Sequence, residues 1–116
     1  MLISIHPKLP MRNLKATKEY YINGLGFSEL GEYGNYLILK KDKIELHFFL
    51  YENLNPSENY GQVYFRTDEI DRLYQSWLDA KVEFHPQGPL ERKYWGMKEF
   101  SLLDPDNNLL TFGQAI

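Results

Sequence analysis

The sequence predicts an α+β fold in which two βαβββ modules form a curved mixed sheet around a cleft. Three observations predict it. Two stretches with helical apolar spacing each have one strand-like run before them and a set of strand-like runs after them. The modules this defines span about residues 1–53 and 60–116 of a 116-residue chain, and units that small do not bury a curved sheet alone, so they should pack together, within one chain or between chains. With 43% hydrophobic residues, the chain has material for one core and no room for a second domain.

The first strand is expected from Leu2 to about Leu9. The first helix follows over Leu14–Ile22, with Asn13 as its cap and Leu14, Thr17, Tyr20 and Tyr21 on one face; Asn23 and Gly24 stop it. Phe27–Tyr33, Tyr36–Lys41 and Lys43–Tyr51 complete the first module, and a loop over Asn53–Tyr60 leads to the second. Gly61–Arg66 begins that module as a strand. Thr67 is the expected cap of the second helix, with Asp68 and Glu69 placed where the dipole favours acids. Ile70, Leu73, Tyr74, Trp77 and Leu78 form its buried stripe. Val82–Phe84, Lys98–Leu103 and Leu109–Gly113 are the remaining strands, the last pair joined by a turn at Asp104-Pro105-Asp106-Asn107.

Alternation along the strands sorts the side chains. Ile44, Leu46, Phe48 and Leu50 make one apolar face that must pack on a helix, which leaves Glu45, His47, Phe49 and Tyr51 on the other. By the same rule Tyr36, Ile38 and Lys40 oppose Leu37 and Leu39, and Gln62, Tyr64 and Arg66 oppose Val63 and Phe65. The face away from the helices is therefore polar, ionisable and aromatic. Such a face is wet or lines a cleft. Large aromatics beside Glu45, His6 and His47 have the character of a ligand cavity.

Composition removes several function classes. No cysteine means no disulfide framework, thiolate nucleophile, cysteine zinc site or iron–sulfur cluster. Thirteen Lys/Arg against sixteen Asp/Glu, with no basic run, argue against a nucleic-acid partner. Residues 1–7 lack a signal-peptide pattern and no run is long enough to span a bilayer, so the expected location is the cytoplasm, with no membrane partner. No Gly-rich phosphate loop, serine-hydrolase elbow, HExxH motif or EF-hand loop is present. Nine Tyr, seven Phe and two Trp are more flat amphipathic surface than a small core needs; on composition alone they fill a sheet-rich core before they argue for a binding surface with one apolar and one wet side.

Four segments carry a family resemblance: Pro7-Lys8-Leu9-Pro10 with Asn13; Tyr20-Tyr21 leading into Gly24-Leu25-Gly26-Phe27; Ile44-Glu45-Leu46-His47-Phe48-Phe49; and Trp95-Gly96-Met97-Lys98-Glu99-Phe100 running into Leu103-Asp104-Pro105-Asp106-Asn107-Asn108. In these the chain resembles the bleomycin-resistance proteins of the vicinal-oxygen-chelate superfamily, which also contains glyoxalases and ring-cleaving dioxygenases. The resemblance implies the glyoxalase/bleomycin-resistance-like fold over the whole chain and a homodimer, often with exchange of the first strand. It implies non-catalytic sequestration of a bleomycin-type glycopeptide or similar flat cationic small molecule, with no cofactor. It further implies that Tyr36 and Trp95 sandwich the ligand's flat rings. Glu45, Phe49, His47 and Tyr64 join them as expected ligand-binding residues, and Glu29, Glu32, Glu45 and Glu52 are the candidates for an acidic groove. The apolar rims expected to meet a partner chain are Phe27, Phe49, Tyr94 and Trp95, with Pro7 and Pro10 as hinge residues.

The same resemblance carries an alternative, a metal-dependent lyase, isomerase or dioxygenase. Metal-dependent members place one ligand on each of four equivalent strands, and those positions here are His6, Glu45, Gln62 and Thr111. Gln62 is a weak ligand and Thr111 a weaker one, so no metal is expected, and any metal would fall to His6, Glu45 and Gln62.

Overall fold

In a computed structural model covering residues 1–116, each helix follows one strand and precedes three. The first module runs β1 (Lys8–Met11), α1 (Leu14–Lys18), β2 (Ser28–Glu32), β3 (Tyr36–Lys41) and β4 (Ile44–Leu50); the second runs β5 (Gln62–Arg66), α2 (Ile70–Asp79), β6 (Glu91–Arg92), β7 (Met97–Leu103) and β8 (Leu109–Ala115). The strands form two four-stranded mixed sheets of matching order, β1-β4-β3-β2 and β5-β8-β7-β6. This is the α+β fold of paired modules that the sequence predicts.

Capping chemistry sets the helices. Asn13 accepts the Ala16 N–H through its side chain at 2.8 Å, and α1 continues as a wider π turn over Glu19–Gly24. Thr67 does not cap α2. Its hydroxyl accepts the Glu69 N–H at 3.1 Å, Glu69 holds the cap position, and the Ile70 N–H is accepted instead by Gln114 of β8 at 2.8 Å.

Two expected strands are corrected. Residues 1–7 lie outside β1, and Leu2 and Ile3 are 100% and 95% exposed. The reason is register: β1 runs parallel to β4 with Lys8 opposite His47, and β4 begins at Ile44. Pairing carried backward from Lys8 therefore runs out at Ile5, and the alternating run before it has no strand within the chain to join. Val82–Phe84 is likewise not a strand. Phe84 instead packs its ring on Tyr74 and Phe100, and the edge of the second sheet is the two-residue β6.

Both sheets turn their apolar faces inward, and one cluster of sixteen buried residues spans them, from Leu37, Leu46 and Phe48 on one side to Phe100, Leu102 and Leu110 on the other. Each side chain of this size stabilises the fold by about 1.5–3 kcal/mol when fully buried. Phe27, expected at a rim, belongs to this core at 4% exposure.

A polar joint holds the modules together. The buried Asp104 carboxylate accepts from Tyr21 O–H at 2.7 Å, from the Asn108 side chain at 2.8 Å, and from the backbone N–H of Asp106 and Asn108 at 2.8 and 3.0 Å. Arg12 pairs with Asp106 at 2.6 Å, the Asn108 side chain donates to Pro10 O, and Trp77 Nε1–H donates to Leu25 O. The turn that the sequence marks at Asp104–Asn107 thus also anchors the first module. No helix is long and apolar enough to cross a membrane.

Candidate functional site

Because both apolar faces share one core, the two remaining sheet faces point outward. Each presents its own group of ionisable and aromatic residues.

On the first sheet, alternation along β4 puts Glu45, His47 and Phe49 on the outer face, with Tyr36 of β3 directly opposite Phe49 in register. Tyr36 Oη lies 2.7 Å from His47 Nδ1, and His47 Nε2 lies 2.6 Å from Glu45 Oε2. A neutral imidazole protonated on Nε2 satisfies both bonds, accepting from the tyrosine and donating to the carboxylate. His6 stacks on His47 with ring centroids 5.2 Å apart and a 5° tilt, its Nε2 3.6 Å from the same glutamate oxygen. The His47 hydrogen bond, with the two nearby imidazoles, holds the Glu45 carboxyl below its ordinary value.

The ligating atoms of His6, Glu45 and His47 lie within 4.8 Å of one another, a donor set that suits a divalent transition metal. Gln62, expected with His6 and Glu45, stands on β5 of the other sheet opposite Leu109, and Thr111 of β8 meets Ser101 at 3.2 Å. Within one chain the metal-competent group is therefore drawn from the first module alone, with His47 in place of Gln62.

On the second sheet, Phe100 and Leu102 point inward, so Glu99 of β7 points outward. Its Oε2 accepts from Tyr64 O–H at 2.6 Å and from Trp95 Nε1–H at 3.2 Å. Trp95 sits in the turn before β7, which closes through Gly96 at a φ of +82°, a conformation that suits glycine. Half-burial, followed by the bond to Glu99, pushes the Tyr64 hydroxyl above its ordinary value.

Tyr36 and Trp95 thus stand on different sheets, and no ring contact or hydrogen bond joins them within the chain. Glu29 and Glu32 are both paired with Lys18, at 2.8 and 3.3 Å, and Glu52 is exposed after β4, so only Glu45 of the four groove candidates belongs to an outer-face cluster. Glu99 was not among them. Its signal was present in the alternation of Met97–Leu103, which places an acid outward four residues after Trp95.

Residues 4–112 match the Glyoxalase/Bleomycin resistance protein/Dioxygenase superfamily. The chain is similar to a bleomycin resistance protein of Geobacillus stearothermophilus, 27% identical over 132 residues that take in 100% of this chain and 98% of the relative. A bleomycin resistance protein of Klebsiella pneumoniae is 27% identical over 109 residues, covering 90% of this chain and 86% of its own. Among solved structures, a bleomycin-binding protein complexed with bleomycin superposes with a TM-score of 0.89 at 25% identity, covering 99% of this chain and 100% of that one. A bleomycin resistance determinant encoded on transposon Tn5 gives the same TM-score and identity over 98% of both chains.

Proposed function

Because the chain belongs to the Glyoxalase/Bleomycin resistance protein/Dioxygenase superfamily, we propose that it binds and sequesters a bleomycin-type glycopeptide, or a similar flat cationic molecule, without transforming it. The observation that carries this reading is the presentation of Trp95. The ring is 52% exposed and is tied by its N–H to Glu99, so a flat surface is offered to solvent in a fixed orientation. Stacking on such a ring supplies affinity, and carboxylates steer and pair the ligand's positive charge.

In this reading the binding unit is a homodimer acting in the cytoplasm. Tyr36 and Trp95 face outward from different sheets of one chain, so a sandwich needs the first sheet of one copy against the second sheet of another. The exposed apolar arm before Pro7 is the segment that would bind the partner, by pairing where its own chain offers no strand. Light scattering is expected to give twice the 13.8 kDa chain mass at micromolar concentration; a monomer alone would sink the two-copy site.

Titration with bleomycin, followed by tryptophan fluorescence, tests the function. Trp95→Ala should weaken binding about tenfold or more, from lost stacking and lost apolar area. Tyr36→Ala should weaken it in the same direction, and added salt should lower wild-type affinity by screening. Absence of binding at millimolar bleomycin would defeat the reading. The cluster of His6, Glu45 and His47 favours a second reading, a metal-dependent lyase, isomerase or dioxygenase, and about one equivalent of divalent metal in the purified protein would move the assignment there.

A further inference from the structure

Glu99 combines three properties that are not found together at any other carboxylate of the chain. It is only 8% exposed, it forms none of the chain's ion pairs, and half of it is left without a donor. Oε2 takes both Tyr64 O–H and Trp95 Nε1–H, while Oε1 has no hydrogen bond within the chain and is not sealed from solvent. The neighbouring cations are engaged elsewhere: Lys98 with Asp71 at 2.5 Å, Lys93 with Glu91, and Arg66 over the Tyr64 ring at 5.6 Å.

The sheet is built to hold that arrangement. Tyr64 is on β5 and Glu99 on β7, with β8 between them. Tyr64 reaches across β8 at Gly113, which stands opposite Glu99 in register, and a Cβ at that position would overlap the Tyr64 hydroxyl. The central strand thus carries no side chain where the tyrosine must pass. Beside it, Lys93 Nζ sits 5.9 Å above the Trp95 ring, so that ring already accepts a cation on one face.

We infer that Glu99 Oε1 is the receptor for a protonated nitrogen, an amidinium, guanidinium or ammonium attached to a planar ring that stacks on Trp95, with Tyr64 and Gly113 as positioning residues. This rests on the binding reading above and names the part of the ligand that the second module selects. Glu45 on the other sheet is a poorer receptor, since it already pairs with both His47 and His6 and its side chain is more open to water.

The test compares benzamidine with benzamide, two planar probes of the same shape of which only the first is charged, by the shift of the Trp95 indole N–H resonance in the full chain. Benzamidine should bind at least about tenfold more tightly, as expected for a charge-assisted bond. Glu99→Gln should abolish that preference. Equal affinity in the wild type, or a preference that survives Glu99→Gln, would each overturn the inference. If Glu99→Gln does not fold, the wild type still decides: the benzamidine shift must weaken with added sodium chloride while the benzamide shift does not, and parallel behaviour overturns it. Failure to bind bleomycin with the benzamidine preference intact would remove only the drug reading. Bleomycin binding equally to wild type and Glu99→Gln, with no benzamidine preference, would remove only this inference.

Discussion

The two outer faces come from modules of the same strand order, yet their polar groups are finished differently. On the first, Tyr36, His47 and Glu45 form a hydrogen-bonded chain in which the carboxylate oxygen nearest the imidazoles is already used. On the second, Tyr64 and Trp95 both converge on one oxygen of Glu99, which has no ion-pair partner, whereas Glu45 pairs with both His6 and His47. Topology therefore fixes where a face lies and not what it can bind. The contrast depends on a few placements, above all a glycine at 113 where the first sheet has side chains along its central strand.

The widest break in this contrast is expected at the joint, since the two faces keep their relative placement through Asp104. Asp104→Ala strands the Tyr21 hydroxyl and the Asn108 amide in the core, and unfolding in urea should reveal a loss of about 3 kcal/mol. A midpoint close to wild type would mean that the modules are held by apolar packing alone. Next in size, Gly113→Ala forces the Tyr64 ring aside and should cost roughly 1–2 kcal/mol. It should also remove the benzamidine preference while leaving the Tyr36 and His47 resonances in place; a disturbed first sheet would show that the faces are not independent.

The smallest effect sharpens the comparison by pH. Glu45 is held below its ordinary 4.5, chiefly by the His47 hydrogen bond, so its contribution to stability is present above 4.5 and lost as pH falls through the lowered value. Asp104 is pushed above its ordinary 3.8 chiefly by burial, against the pull of its hydrogen bonds; its contribution is full below 3.8 and lost as pH rises through the raised value. Carboxyl carbon titration by NMR should place the two midpoints on opposite sides of their ordinary values. A Glu45 midpoint at or above 4.5 would break the hydrogen-bonded chain on the first face.

Much of the fold was legible because local rules and tertiary packing agree. Tyr36–Lys41 is a strand to the residue, Asn13 caps as expected, and the doubled module order follows from the positions of two helices. Legibility failed where a partner lay elsewhere in the chain or outside it. The alternation of Leu2–His6 has strand character but no neighbour to pair with, and Thr67 lost the cap because Gln114, forty-four residues beyond Ile70, supplies the acceptor. For the site, strand alternation identified Glu45, His47 and Tyr36 as sharing a face. It could not place His47 rather than Gln62 beside His6, nor bring Tyr64 to Glu99, because that meeting depends on what β8 lacks.

The joint also bears on rates. Four ties cross the seam, from Tyr21 to Asp104, Arg12 to Asp106, Asn108 to Pro10 and Trp77 to Leu25, so the modules have no free hinge about which to close. A ligand on the two-copy reading meets a slot already formed, and capture needs no slow rearrangement before it. Association should then proceed at a rate set by encounter and by the charge on the approaching molecule. Ligands of different fit would differ mainly in how long they stay, so residence time rather than speed of capture is where selectivity would be written.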